Sequence, residues 1–329
     1  MLSLSPEQRE LARAEQTWLE QHDPVDRIRA CIDTAPITVD PRAAEHAETS
    51  GLLSLLTPDG GGEHCDLAVL TEAHGRAASS LPIADVAIAQ WLLATAQQHS
   101  GADSLPDDEL IGVALLRPTG PTPVPMAADM TALMLVGHDE SGDYAAVLRD
   151  SILQPMSTLD LSRSWARIEQ EAADHQRVSL PDGTADLVAD ALALHRAWDA
   201  LGAASRLFEM TVTYAGQRKQ FGALIGSFQA VKHHCANMAI AVEASRAVLW
   251  SASQAIDSTT AADSRKQIVS SAVAYAKNAA SDVASTALQV HGGIGFTWEH
   301  DLHLFLRRIK VDRAMNGTVE SHRAALVPV

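Results

Sequence analysis

Two short segments of this 329-residue chain combine residue types that suit a phosphate-bearing ligand. They are Arg218-Lys219-Gln220-Phe221-Gly222 and Gln289-Val290-His291-Gly292-Gly293-Ile294-Gly295-Phe296. An arginine presents a planar fork of N–H donors that matches a phosphate or pyrophosphate. Adjacent glycines let backbone N–H groups approach an anion with no Cβ in the way. Each segment alone has a plain structural reading as well, because an arginine after a helix also caps carbonyls and Gly-Gly after a helix is also a C-cap. The three cysteines, Cys31, Cys65 and Cys235, form no CxxC pair and have no histidine at ligand spacing, so they read as free thiols and no metal site is expected.

Three stretches of different texture must position these segments. Up to about residue 110 the pattern is helical. Ser5-Pro6-Glu7-Gln8 combines an N-cap, a first-turn proline and a capping-box glutamine, with a helix expected through Trp18. Further helices are expected over Pro41–Leu56, Asp66–Ser79 and Ile83–Gln98. From 111 to 183 come short β-like runs, Ile111–Leu116, Ala132–Val136 and Tyr144–Leu148. The proline-rich segment Pro118–Pro125 is barred from a central strand because proline lacks the ladder N–H.

From 184 to 329 three long helical seams recur at steps of four and three. They run Leu187 to Ala215, Phe228 to Ile256 (with Cys235 as a core position), and Ile268 through Tyr275 to Val290, the last stopped by Gly292-Gly293. The expected fold is mainly α with a small β domain: an N-terminal helical domain (1–110), a reduced middle β domain (111–183) and a C-terminal antiparallel bundle of four-helix type (184–329).

Hydrophobic residues make up 47% of the chain and charged residues 20%, with a net charge of −16, which disfavours disorder and any broad nucleic-acid or anionic-membrane surface. Only 19 glycines leave little room for a private phosphate-binding loop. The first residues reach charges before any apolar run could act as a leader, and no stretch approaches a membrane span, so a cytoplasmic location is expected.

The two segments and their order resemble those of the acyl-CoA dehydrogenase family, over most of the chain. Gly60-Gly61-Gly62, Glu72-Ala73-His74-Gly75-Arg76, Leu159-Asp160 with Arg163, and Phe228-Gln229 add to the likeness. The family binds FAD, removes an α-proton from an acyl-CoA and passes the β-hydride to the flavin. The resemblance implies that both segments reach across a dimer interface to an FAD held mainly by the neighbouring subunit. Arg218 would meet the pyrophosphate and Phe221 the dinucleotide. Gln289 would bond the adenosine half, Gly292 and Gly293 would approach phosphate, and Ile225, Phe228 and Gln229 would lie near the adenine.

Two departures from the family's pattern narrow the function. Its flavin-holding Thr-Glu-Pro-Gly-Ala-Gly-Ser-Asp-like segment is replaced by Leu115-Leu116-Arg117-Pro118-Thr119-Gly120-Pro121. Its base, a carboxylate able to take a weakly acidic proton, is replaced by Asn316 in Asn316-Gly317-Thr318, and the alternative base position falls at or beside Leu192. His195, Asp199, Glu299 and Asp301 are substitute candidates. Hydrogen bonding or solvation is preferred for His195, and capping of the next helix for Glu299 and Asp301.

The chain thus resembles the smaller, non-catalytic subunit of the actinobacterial α2β2 acyl-CoA dehydrogenases of steroid side-chain breakdown. That resemblance implies no catalytic residue here, a larger paralogous partner that binds most of the acyl-CoA, and an electron-transfer flavoprotein or similar acceptor. The alternatives are an active homo-oligomer that uses His195 or Glu299, and a flavin-free scaffold.

Overall fold

The computed structural model describes residues 4–22, 25–34, 36–101, 110–149, 151–169, 177–258 and 260–327. Residues 1–3, on which the leader expectation partly rests, lie outside this set. The N-terminal helices are α1 (Pro6–His22), α2 (Val25–Cys31), α3 (Pro41–Thr49), α4 (His64–Ala77) and α5 (Ile83–Ser100). The capping box of α1 forms as expected. Gln8 N–H donates to Ser5 Oγ at 3.1 Å, and Ser5 N–H donates to Gln8 Oε1 at 3.0 Å. Two expectations need correction. The helix from Pro41 stops at Thr49 instead of Leu56, because Ser50 caps it and Gly51 turns the chain at φ 70°. The short helix α2 went unanticipated.

The middle region contains β1 (Ile111–Arg117), β2 (Gly120–Pro121), β3 (Val124–Pro125), β4 (Ala132–Asp139), β5 (Gly142–Leu148), β6 (Leu153–Met156), β7 (Trp165–Ile168) and β8 (Arg177–Ser179). One sheet has the order β2-β1-β4-β5-β8, with β1 and β4 parallel and the other pairs antiparallel; a second has the order β3-β7-β6. Pro121 and Pro125 sit in the two-residue edge pieces β2 and β3, and Pro118 and Pro123 lie outside the strands, where a missing N–H costs little. Side chains alternate faces along each strand. Met134 and Val136 therefore join the core shared with the helices, while Leu133 and Leu135 fill a smaller core with Val124, Ala166 and Ile168 of the second sheet.

The C-terminal region contains α6 (Thr184–Gln217), β9 (Lys219–Gln220), β10 (Ala223–Leu224), α7 (Gln229–Asp257), α8 (Ala262–His291), α9 (Leu302–Ala314) and α10 (Val319–Ala324). Short connections make α7 antiparallel to both α6 and α8. Trp198 Nε1 of α6 accordingly donates to Ser253 Oγ near the far end of α7 at 3.1 Å. The narrow seam expected for α6 is replaced by burial on every face from Asp190 to Ser205, because this helix is packed by α4, α7, α8 and α9. Gly75 and Gly202 make the α4–α6 approach possible. A Cβ on Gly75 would lie 2.1 Å from Asp199 O, and one on Gly202 would lie 2.1 Å from Glu72 O. In α8 the buried stripe runs through Val269, Val273, Ala276, Ala280 and Ala287. Tyr275, expected in the seam, is 45% exposed.

Candidate functional site

The antiparallel arrangement gathers the C-terminus of α6, the N-terminus of α7 and the C-terminus of α8 at one end of the bundle, and both ligand-suited segments lie there. Arg218 ends α6, its N–H bonded to Tyr214 O at 2.8 Å. The chain then makes the β9–β10 hairpin, whose two-residue turn is Phe221-Gly222 with φ of 52° and 80°. Such turns favour Asn-Gly, because a side chain with positive φ is strained by about 1–2 kcal/mol. Phe221 accepts that conformation and is also 94% exposed, with only the edge of Phe228 near it at 6.3 Å between ring centroids. Strain and exposed aromatic surface together mark a residue built to meet something outside its own chain.

The hairpin is closed by Ile225 N–H donating to Arg218 O at 2.8 Å, after which Phe228 caps α7 and Gln229 is its first residue. The adjacent groove of about 520 Å³ includes Val212, Leu224, Val231 and Cys235 in its lining. This opening corrects the expectation for Cys235. It is half-buried at the bundle's end, and the seam of α7 becomes buried only from Met238 onward.

Facing the hairpin base, α8 stops where Gly292 takes φ 61° and ψ −140°, followed by a 3-10 turn over Gly292–Phe296. Tyr214 stacks on His291 at 4.5 Å, and its hydroxyl donates to His291 O at 3.5 Å, joining the two segments. Arg218, Gln229, Gln289 and Gly293 are exposed, Ile225 and Gly292 are half-buried, and Phe228 is 38% exposed. Among the described residues no ion pair engages the Arg218 guanidinium. A Cβ added at Gly292 or Gly293 would meet nothing within 4 Å. The glycine surface is therefore open to an external ligand. The Gly292 N–H is spent on Gln289 O and Leu288 O, so this surface offers a ligand an exposed guanidinium fork, a backbone with no Cβ in the way and a bare aromatic face. Eight residues expected to act together are thus gathered at one surface.

The two positions at which the family carries its base lie together on the inner side of α6, and both are blocked. Leu192 is buried. Asn316 takes φ 53°, and Arg196, one turn beyond Leu192, donates from Nε to its Oδ1 at 3.2 Å. Arg196 also binds both oxygens of Asp85 (2.8 and 3.0 Å), and it stacks over the Trp165 ring at 5.0 Å. The turn after α9 is held by Lys277, whose ammonium donates to Met315 O at 2.6 Å and Gly317 O at 2.9 Å. Burial pulls the Lys277 ammonium down to about 7.

Behind this turn Arg163 binds Asp160, Asp199 and Asp312, each at 2.8 Å, and Arg308 binds Asp199 and Ser162. Burial pushes Asp312 up to about 6 against the pull of Arg163, and one of its oxygens has no partner among the described residues. Asp160 and Asp199 are also penalised by burial, but Arg163 and Arg308 hold both below the usual carboxylate range.

None of the substitute bases is arranged for proton abstraction. Asp199 is consumed by two arginines. His195 is buried and hydrogen-bonded, as preferred: its Nδ1 lies 3.3 Å from Thr71 Oγ1 and its Nε2 lies 3.0 Å from His64 Nδ1. Thr71 spends its proton on Leu67 O at 2.7 Å, so His195 Nδ1–H donates to Thr71 and His64 Nδ1–H donates to His195. This chain requires His195 to be neutral, its Nε2 accepting from His64. Burial drives His195 well below the usual imidazole range and His64 down to about 4. Glu299 is exposed, and its own backbone N–H, then the Thr297 hydroxyl, hold it below the usual range. The capping expected for Asp301 is corrected: it occupies the N-cap position of α9 without a side-chain cap bond, and binds Arg29 of α2 instead. Sequence reasoning missed Arg29, Arg196 and Lys277, each a lone cation whose partners lie far away in the chain.

Comparison with known proteins points in one direction. The family described as acyl-CoA dehydrogenase, C-terminal domain, matches residues 188–327. The chain is 31% identical over 313 residues to acyl-CoA dehydrogenase IpdE2 of Mycolicibacterium smegmatis, covering 92% of each. Among solved structures, the ChsE4-ChsE5 complex from Mycobacterium tuberculosis aligns with a TM-score of 0.81 at 21% identity, covering 99% of each chain. The Tcur3481-Tcur3483 steroid acyl-CoA dehydrogenase variant aligns with the same TM-score and identity, covering 97% of this chain and 96% of that one.

Proposed function

The chain belongs to the acyl-CoA dehydrogenase family, and from that premise we propose that it is the smaller, non-catalytic subunit of a heteromeric FAD-dependent acyl-CoA dehydrogenase. The observation that carries this reading is a contrast within one bundle. Its outward end keeps an exposed Arg218, a strained and bare Phe221, and Gly292 and Gly293 with space around them, whereas the two inner base positions are occupied by a buried Leu192 and by Asn316, which accepts from Arg196. Bound FAD supplies the hydride acceptor for α,β-desaturation. This chain's part is to bind and orient the dinucleotide half. Arg218 neutralises pyrophosphate charge, the Gly292-Gly293 backbone lets phosphate approach with no Cβ in the way, and Phe221 and Phe228 offer apolar faces. Gln289 hydrogen-bonds the adenosine side, with Ile225 and Gln229 beside the adenine.

The isoalloxazine, the thioester pocket and the base belong to a larger paralogous partner in an α2β2 assembly. In support, Leu115–Pro121 makes the end of β1 and a tight return into β2, with Leu115 N–H donating to Thr122 Oγ1 at 2.9 Å, in place of a flavin-covering loop. The substrate class is an acyl-CoA with a bulky, steroid-like acyl group, consistent with the steroid acyl-CoA dehydrogenase among the structural neighbours. Electrons leave to an electron-transfer flavoprotein or a similar acceptor. The assembly works in the cytoplasm; among the described residues no helix is long and apolar enough to cross a membrane.

The test is Arg218→Ala combined with Gln289→Ala in the complex co-expressed with its larger partner. Loss of FAD and activity from an intact heteromer is expected. Full FAD and full activity would remove the donor role.

A further inference from the structure

The glycine turn that faces outward from α8 has no side chains with which to hold itself. One end is fixed by α8 and by the Tyr214–His291 stack. The other end is fixed from a different part of the molecule. Arg29, on the short helix α2 of the N-terminal region, donates from Nη1 to Trp298 O at 2.7 Å and from Nε to the Asp301 carboxylate at 2.5 Å. The Trp298 ring is packed between His303, stacked at 4.6 Å, and the Arg307 guanidinium, 5.7 Å from its centroid. Between the two anchors Ile294, Phe296 and Trp298 are 44%, 76% and 44% exposed, an apolar strip directed away from the chain that follows Gly292 and Gly293.

We propose that Arg29 is a positioning residue for the FAD-facing turn. By clamping Trp298 and Asp301 it fixes the course of the Gly292–Phe296 turn at its far end, and so couples the N-terminal helical region to the cofactor shared with the partner subunit. This rests on the reading of the bundle end as an FAD donor surface. Arg29 and Asp301 keep 25% and 41% side-chain exposure. An ion pair of that kind adds little to global stability. Its effect is local: a segment anchored at both ends presents donors already oriented, whereas one anchored at one end must be ordered on binding.

The experiment uses Arg29→Ala in both the isolated chain and the co-expressed heteromer. In the isolated chain, amide hydrogen exchange over residues 292–298 should accelerate while the melting temperature stays within a few degrees of wild type. In the heteromer, FAD affinity measured by flavin fluorescence should weaken, with Kd rising about tenfold, while kcat at saturating FAD is retained, as expected for lost preorganisation. The conservative exchange Arg29→Lys, which keeps a cationic N–H donor for Trp298 O and Asp301, should retain much of the FAD affinity that Arg29→Ala loses. Unchanged exchange and unchanged FAD affinity in Arg29→Ala would overturn the proposal. The paired Arg218→Ala, Gln289→Ala variant separates the two levels. If it too keeps full FAD, the donor reading itself fails; if it loses FAD while Arg29→Ala does not, only the clamp fails.

Discussion

The buried histidine pair linking α4 to α6 makes the stability of this protein depend on pH, and the part of His64 can be isolated. His64 Nδ1–H donates to His195 Nε2, and His195 Nδ1–H donates to Thr71, whose own proton is committed to Leu67 O. A proton added to His195 would oppose two N–H groups across the 3.0 Å contact, whereas one added to His64 goes to Nε2 and is opposed by burial. The folded His64 titrates near 4, against 6.5 for the ordinary side chain. A lowered folded value means that the unfolded chain takes up the proton first on acidification. The stabilisation is thus present above pH 6.5 and is lost between 6.5 and about 4. Between pH 7 and pH 5 the linkage relation gives a loss of about 2 kcal/mol, an upper value because the His64 ring keeps partial contact with water.

Asp312, pushed up to about 6, works in the opposite direction over the same range. Total stability against pH is therefore the wrong observable. The clean comparison is wild type against His64→Gln, which retains an N–H donor for His195 but does not titrate, with Asp312 common to both. Urea unfolding at pH 7 and pH 5 should show the stability difference between the two proteins shifting by 1–2 kcal/mol in favour of His64→Gln at the lower pH. A difference that stays constant across that interval would refute the reading that burial holds His64 neutral in the folded chain.

Other expectations are more direct. Arg163→Ala leaves Asp160, Asp199 and Asp312 facing one another in the interior, and should destabilise the chain by about 3–5 kcal/mol in thermal or denaturant unfolding; a loss below about 1 kcal/mol would mean that water already solvates the cluster. Phe221→Gly removes a strained and exposed side chain, so the isolated chain should be unchanged or stabilised by up to about 1 kcal/mol, while the heteromer loses FAD affinity. Destabilisation of the isolated chain would show that Phe221 serves its own fold.

Much of this was legible in the residues, for reasons that also explain what was not. The capping box at Ser5, the stop at Gly292 and the buried half of the α7 seam are local signals, and local signals survive into the fold. The seam of α8 was displaced because Tyr275, apolar enough to count as core, turns to the surface, while the fully buried Lys277 breaks the apolar pattern and escapes notice. The inner network of Arg163, Arg196, Asp85 and Asp312 could not be read, since its members come from α5, α6, α9 and the segment before β7 and meet only in three dimensions. The outer site was legible for the opposite reason: each of its two segments is contiguous, and the antiparallel bundle needs only to bring two helix ends together.

The central claim is that the chain lends groups to another subunit's cofactor and has no working flavin site of its own. Flavin content and acyl-CoA oxidation, measured on the chain purified alone and on the complex with the larger paralogue, test it most directly. The account requires a colourless or weakly flavinated, inactive chain alone, and an active complex that holds one FAD for each pair of chains. One tightly bound FAD per chain in the isolated protein, together with oxidation of an acyl-CoA, would contradict it.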